Sequence, residues 1–456
     1  MRIINPATER VIKNIKADDQ ESVREKYQSV FEAQREFSRT PVADRVKITA
    51  NFNDLLQKSK QKLAGVLTAE MGKPITQSRN EIDGACARIS FFLEKGHQLL
   101  SDELVYREGG MREYISYEPL GVIANISAWN YPYLVGVNVF VPALIAGNAV
   151  MYKPSEYTSL TGLEIQKLWQ QAGLDSRLFT TVLGTGQAGK LLLDLPLDAY
   201  FFTGSYNTGK FIYEQVAAKM VPCQLELGGK DPVYVTANNR NIQKAAMAAV
   251  EGSFYNNGQS CCAVERIYVH RKVYHDFINE FVKEVKMLKM GDPQSEEVFI
   301  GPVTRKQQIE FLRNQVDDAV AKGGKILSGG KAETRQGYYF QPTVIINTNH
   351  QMKLMTEESF GPVIGIQQVD SDDQAIDLMK DTPYGLTAAV FSDDQEQALQ
   401  IMRQMNTGTV YWNCSDRVSP RLPWSGRKNS GFGFTLSEMG IRAFVKPKAF
   451  HMKTKL

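Results

Sequence analysis

Pro119-Leu-Gly-Val-Ile-Ala-Asn-Ile-Ser-Ala-Trp-Asn-Tyr-Pro-Tyr-Leu-Val-Gly-Val-Asn-Val-Phe-Val-Pro-Ala-Leu-Ile-Ala-Gly-Asn-Ala-Val-Met-Tyr152 contains no charged residue. By length alone such a run can cross a bilayer. It also carries Asn125, Asn130, Asn138 and Asn148, with Pro132 and Pro142 inside it, and in lipid those groups would be costly. The pattern divides better into a strand (Val122–Ile126), a turn (Ser127–Tyr131), a helix (Pro132–Ala146) and a second strand (Ala149–Tyr152). Two buried parallel strands with a covered helix between them are equally free of charge.

The same rhythm continues downstream. A helix is expected near Leu160–Gln171, a strand at Phe179–Leu183, a helix near Ala188–Asp194, a strand at Ala199–Phe202 and a helix near Gly209–Met220. This alternation predicts a doubly wound parallel sheet. After Gly228-Gly229-Lys230 a second α/β stretch begins: strand Pro232–Val235, helix Ile242–Phe254 and strand Ile267–His270. Val273, Phe277, Phe281, Val285 and Leu288 then mark one helical face, and Ile309, Leu312, Val316 and Val320 another. Upstream, Val46, Leu55, Leu56, Leu63, Val66 and Leu67 recur at roughly helical spacing, so the first hundred residues read mainly as helices. The tail from Phe444 to Leu456 is strand-like and basic. No internal repeat or low-complexity linker interrupts the chain, which predicts closely packed domains.

Composition narrows the function classes. At roughly 150 residues per domain, 456 residues suggest about three structural units. Lys+Arg is 53 against Asp+Glu 50, a net charge of +3, which gives no reason to expect nucleic acid or a membrane as partner. Met1 to Lys26 is polar, with no apolar signal segment, and the cysteines number five. Reduced thiols in the cytoplasm are the expectation. With no CxxC, no HExxH and no Cys/His cluster, no protein-bound metal is expected.

Several short motifs fall at predicted strand ends, where open α/β sheets bind ligands. Gly184-Thr-Gly-Gln-Ala-Gly189 has the spacing of a phosphate loop, yet the next strand ends in Phe202-Thr-Gly-Ser205 without the acid that usually holds a ribose. A plain tight turn fits as well. Phe202-Thr203-Gly204-Ser205 opens a helix and offers free N–H groups to a phosphate. Lys153-Pro-Ser155-Glu156 could hold a ribose diol, but taken alone it reads more readily as a surface lysine before a helix start. Glu226, two residues before paired glycines, suits a general base or a solvent-facing strand end. Cys261 in Gly258-Gln-Ser260-Cys261-Cys262 is a nucleophile candidate, or a small buried apolar residue.

Taken together, these motifs resemble the aldehyde dehydrogenase superfamily. The matches are Trp129-Asn130-Tyr131-Pro132, Lys153-Pro-Ser-Glu156, Phe202-Thr-Gly-Ser205, Glu226-Leu-Gly-Gly-Lys230, Gly258-Gln-x-Cys261, Glu358-x-Phe360-Gly-Pro362 and Pro423-x-x-Gly-x-Lys428-x-Ser-Gly431, in the family's order. The resemblance implies an NAD-binding domain of Rossmann-like α/β type (1–100 and 120–227), an α/β catalytic domain (228–430) and a small β oligomerisation domain (101–119 and 431–456), assembled as a homodimer or homotetramer. It implies Cys261 as nucleophile, Asn130 as oxyanion donor and Glu226 as the base that activates the hydrolytic water. The cofactor, NAD with NADP possible, would be held by Trp129, Lys153, Ser155, Glu156, Gly186, Thr203, Gly204, Ser205, Leu227, Glu358 and Phe360. The aldehyde would be met by Tyr131, Leu134, Tyr255, Ser260, Arg417 and Trp424. Arg417 and Arg421 are candidates for a substrate carboxylate, and the short bacterial forms it resembles include succinate-semialdehyde dehydrogenases. The alternatives are a neutral- or betaine-aldehyde dehydrogenase, a coenzyme-A-acylating enzyme or a non-enzymatic member. Glu226 favours hydrolysis over acyl transfer to coenzyme A, and Glu156 favours NAD by repelling a 2′-phosphate.

Overall fold

The structure is a computed structural model that describes residues 1–453; the last part of the expected tail strand, 454–456, lies outside the described residues. The uncharged segment folds as its pattern requires. Strand Val122–Ile126, helix Pro132–Ala146 and strand Ala149–Lys153 follow one another, and the two strands pair in parallel. Pro132 sits in the first turn of the helix, where its missing N–H costs nothing, and Gly147 ends it at φ 94°. Three of the four asparagines are tied into protein by side-chain hydrogen bonds, while Asn125 Nδ2 is buried without a partner among the described residues. Asn148 donates to Ala143 O and Phe444 O and accepts from Gly121 N; Asn138 accepts from Arg88; Asn130 donates to Gln259 O. No helix among the described residues is long and apolar enough to cross a membrane.

These strands are the centre of a six-stranded sheet. Its order is Gly431–Phe432, Cys223–Glu226, Ala199–Thr203, Val122–Ile126, Ala149–Lys153 and Phe179–Thr181. All pairs are parallel except the Gly431–Phe432 edge. A seven-stranded sheet follows, ordered Lys325–Ser328, Thr343–Ile346, Val363–Val369, Val264–His270, Asp231–Val235, Thr387–Phe391 and Thr409–Trp412, with only the first strand antiparallel. Val445–Lys453, Met111–Pro119 and Glu103–Glu108 make a separate antiparallel sheet. The small sheet's last strand thus starts at Val445, whereas Gly431–Phe432 borders the first sheet.

The amino-terminal helices run over Gln20–Phe37, Val42–Lys58, Lys60–Met71 and Ile75–Leu99. A hairpin not visible in the sequence pattern precedes them, Arg2–Ile4 against Val11–Asn14. Its turn is made by Asn5, whose Oδ1 accepts from Ala7 N and Thr8 N. Helix Val42–Lys58 is clamped to helix Ser159–Gln171 by Phe52, fully buried and stacked on Trp169 at 3.9 Å between ring centroids. Phe140 meets both rings edge-on. Truncation there leaves a cavity that stacked rings cannot collapse. Phe52→Ala is expected to cost about 3–5 kcal/mol, and Phe52→Leu clearly less, read from urea unfolding midpoints; equal midpoints for wild type and Phe52→Ala would remove this cluster as a stability centre.

Candidate active site

Helix Ile242–Phe254 ends against an abrupt change of direction. Asn256, Asn257 and Gly258 lie in the left-handed region at φ 53°, 58° and 68°. Asparagine tolerates this conformation and glycine favours it, and a Cβ on Gly258 would come within 2.4 Å of Gly361 O. The turn is held by side chains. Asn256 N donates to Gln77 Oε1, Asn257 accepts from Gly301 N and donates to Pro302 O, and Gln259 Oε1 accepts from Thr304 N. The chain is thereby aimed so that Cys261 is partly exposed while Cys262 is buried.

Cys261 stands where two cavities meet. One, of about 640 Å³, is lined by Tyr131, Leu134, Tyr255, Ser260, Arg417 and Trp424. The other, of about 840 Å³, holds all of the expected cofactor residues: Trp129, Lys153, Ser155, Glu156, Gly186, Thr203, Gly204, Ser205, Leu227, Glu358 and Phe360. Asn130 and Glu226 line this second cavity as well. Three motifs converge on the thiol, since the Gly229 backbone packs against Cys261 O and Gly258 against Gly361.

Asn130 is fixed from several sides. Its Nδ2 donates to Gln259 O at 3.1 Å, which leaves a second N–H on the same atom. Its carbonyl accepts from Lys73 Nζ (2.7 Å) and Asn256 Nδ2 (3.2 Å). Glu226 is buried, and among the described residues neither carboxylate oxygen is within hydrogen-bond geometry of a partner, although the Thr435 hydroxyl lies near enough to favour its charged form. Burial, reinforced by neighbouring Cys261, pushes its carboxyl well above the ordinary carboxylate range. Glu358 accepts from Gly229 N at 3.1 Å and is pushed up to about 8, chiefly by burial and then by Glu265. Its loop is pinned by Glu265, which accepts from Ser359 N and Phe360 N and pairs with buried Lys230 at 2.6 Å.

The second cavity suits a dinucleotide. Helix Tyr206–Val216 begins at Ser205 without a side-chain cap bond, so its first N–H groups are available to a phosphate. No Cβ obstructs the approach at Gly186, which opens helix Gly186–Asp194. Lys153 and Glu156 are the flanking polar groups. Helix Ser159–Gln171 behind them is held by Glu70, whose carboxylate accepts from Leu160 N and Thr161 N.

The sequence reading did not find several residues. Asp416, at φ 50°, lines the first cavity, accepts from Cys262 Sγ (2.9 Å) and Ser260 Oγ (3.4 Å), and is pushed up to about 6 by burial. Arg88, Lys73, Glu81 and Glu265 were also missed; only Lys73, following Gly72 and preceding Pro74, had a local signal. Of the arginines expected to face a carboxylate, Arg417 lies at the rim and is paired with Glu251 at 3.4 Å. Arg421 is exposed and does not line the cavity.

A partly open thiol between a dinucleotide-shaped cleft and an aromatic-lined cavity, beside a buried unpartnered carboxylate, agrees with the comparisons. The aldehyde dehydrogenase family matches residues 1–450. The chain belongs to the aldehyde dehydrogenase family. It is 33% identical over 460 residues to the peroxisomal aminoaldehyde dehydrogenase 1 of Pisum sativum, covering 98% of this chain and 91% of that protein. The crystal structure of an E. coli NADP dependent enzyme superposes with a TM-score of 0.96 at 28% identity, covering 99% and 94% of the two chains. A Staphylococcus aureus betaine aldehyde dehydrogenase variant in complex with NAD+ superposes with a TM-score of 0.95 at 29% identity, covering 100% and 94%. As a member of the aldehyde dehydrogenase family the chain is an NAD(P)-dependent enzyme that oxidises aldehydes.

Burial of the sulfur's surroundings distinguishes the thiols, four of which share intermediate exposure while Cys262 is buried. Burial pushes Cys86 up to about 11 and Cys223 up to about 12, and raises Cys414; Cys262 is raised by its contact with Cys261 and by burial. Iodoacetamide at neutral pH is expected to label Cys261 first, with Cys261→Ser removing the fast adduct and Cys262→Ser keeping it, as followed by peptide mass spectrometry. Faster labelling of Cys262 would reverse the assignment of the accessible thiol.

Proposed function

We propose that the enzyme oxidises a small polar aldehyde to its free carboxylic acid, with Cys261 as nucleophile, Asn130 as oxyanion donor and Glu226 as base. The observation that carries the hydrolytic reading is the Glu226 carboxylate, buried, without partners and lining the same cavity as Cys261. The Cys261 thiolate adds to the aldehyde carbon, and the carbonyl oxygen becomes an oxyanion. The second N–H of Asn130 Nδ2 and the Cys261 backbone N–H answer that charge; one lost donor of this kind costs on the order of 10²–10³ in rate. A bound nicotinamide supplies the hydride acceptor. Loss of hydride from the tetrahedral carbon leaves a thioester on Cys261. Glu226 takes a proton from water, the resulting oxygen nucleophile attacks the thioester carbon, and the C–S bond breaks to give the acid and the free thiolate.

The preferred cofactor is NAD, because Glu156 lies in the cleft and opposes a 2′-phosphate. Residues 1–100 with 120–227 form the cofactor domain in this reading, and 228–430 the catalytic domain. The small sheet leaves Leu104, Val105 and Tyr106 exposed, which supports the assignment of 101–119 and the carboxy-terminal segment to a homodimer or homotetramer interface. A second substrate reading, a cationic aldehyde such as an aminoaldehyde or betaine aldehyde, is favoured by Asp416 beside Tyr131 and Tyr255 in the first cavity and by the relatives.

Cys261→Ala is expected to abolish NADH formation at 340 nm, while Cys262→Ala keeps much of it; the opposite result would move the nucleophile. Glu226→Gln should release a first burst of NADH and then turn over slowly. Glu226 must be ionised to act and burial raises its carboxyl, so wild-type turnover should climb with pH above the ordinary carboxylate range. Normal steady-state turnover in Glu226→Gln would end its role as base, and acyl-coenzyme A among the products would replace hydrolysis by acyl transfer.

A further inference from the structure

The charged groups of the first cavity can be accounted for one by one. Glu81 is paired with Lys73 and accepts from Tyr133 N. Glu251 faces Arg417 at the rim. Asp416 holds the Cys262 thiol and the Ser260 hydroxyl. Arg88 is different. It projects from helix Ile75–Leu99, is 8% exposed and lines the cavity, yet no ion pair involves it among the described residues. Only Nη1 is used, donating to Leu134 O and Asn138 Oδ1, both at 3.0 Å. Among the described residues, Nε and Nη2 make no hydrogen bond. Burial lowers the guanidinium to about 10, so it remains charged at neutral pH.

Glu81 supports this charge at a distance, but a buried charge with no direct ion-pair partner is costly unless something answers it. The two bonds to Leu134 and Asn138 fix the plane of the guanidinium against helix Pro132–Ala146, and a preset fork of donors suits a carboxylate. We propose that Arg88 receives the carboxylate of the substrate, so that the aldehyde oxidised at Cys261 carries an acid group at its far end. This rests on the dehydrogenase reading above and deepens it by naming the substrate class and the residue that selects it. It also assigns anion recognition to a helix other than the loop of Arg417 and Arg421. Such an aldehyde takes one of two forms: a plain semialdehyde acid, or an amino-acid semialdehyde whose ammonium would meet Asp416.

The test is the ratio of kcat/KM for succinate semialdehyde to that for butanal, measured by NADH formation in wild type, Arg88→Lys and Arg88→Met. The ratio is expected to fall on the order of 100-fold in Arg88→Met and to recover in part in Arg88→Lys, which keeps the charge but not the fork. A merely structural tie between the two helices would lower both aldehydes together and leave the ratio unchanged, which overturns the proposal. Succinate, which has no aldehyde, should compete with substrate in wild type and lose that competition in Arg88→Met. Glutamate 5-semialdehyde separates the two chemistries, and either acid outrunning butanal supports Arg88. A wild-type enzyme that prefers 4-aminobutanal to both acids overturns it. Turnover of butanal by wild type, and its loss in Cys261→Ala, reports separately on the dehydrogenase reading. Butanal oxidised without any acid preference sinks Arg88 alone, whereas no turnover of any aldehyde sinks the reading beneath it.

Discussion

The Lys73–Glu81 ion pair is sealed from solvent, with both side chains fully buried. Each partner is also used elsewhere. Glu81 accepts from Tyr133 N at the start of helix Pro132–Ala146, while Lys73 holds the Asn130 carbonyl and lies 3.8 Å over the Tyr131 ring. Removing one member of such a pair leaves an uncompensated charge, a loss of about 3–5 kcal/mol. The pair therefore fixes where Trp129-Asn130-Tyr131-Pro132 sits relative to helix Ile75–Leu99. Asn130, the proposed oxyanion donor, and the walls of the cavity on that side of Cys261 inherit their positions from it.

A second buried pair has the same place on the other side of the thiol. Lys230 and Glu265 hold Ser359 and Phe360, and the loop they hold carries Glu358 into the cofactor cleft. Neither pair is a bargain in stability terms, because two desolvated charges repay little beyond their own cost. What they supply is direction, since each charge has a fixed set of donors or acceptors that no shifted loop would satisfy.

Much of the fold was legible because it is local. In the segment 119–153 the strand, helix and strand match the hydrophobic runs, and Pro132 and Gly147 mark the helix ends. Helix Ile242–Phe254 was legible for the same reason. The hairpin at the amino terminus was not, because each of its strands is too short for an alternation to register. The site divides in the same way. Cys261, Glu226, Asn130 and the cofactor residues lie in compact motifs. Arg88, Glu81 and Asp416 acquire meaning only when helix Ile75–Leu99, helix Pro132–Ala146 and the loop at 413–421 are brought together, and no spacing along the chain announces that. Arg417 shows the converse: its sequence position suggested anion binding, but Glu251 on a separate helix answers its charge.

The turn at Asn256-Asn257-Gly258 has a consequence for the lifetime of the protein. In an open chain the nitrogen after an asparagine that precedes glycine readily attacks the side-chain amide, and the cyclic product reopens with an acid where the amide was. Here both ends of the Asn257 amide are engaged, by Gly301 N and Pro302 O, and the residue is buried. The folded state thus shelters a linkage that the unfolded chain exposes. Each excursion to the unfolded state puts at risk the amide that steers the chain toward Cys261, so age and heat write their damage into the same bend that presents this thiol.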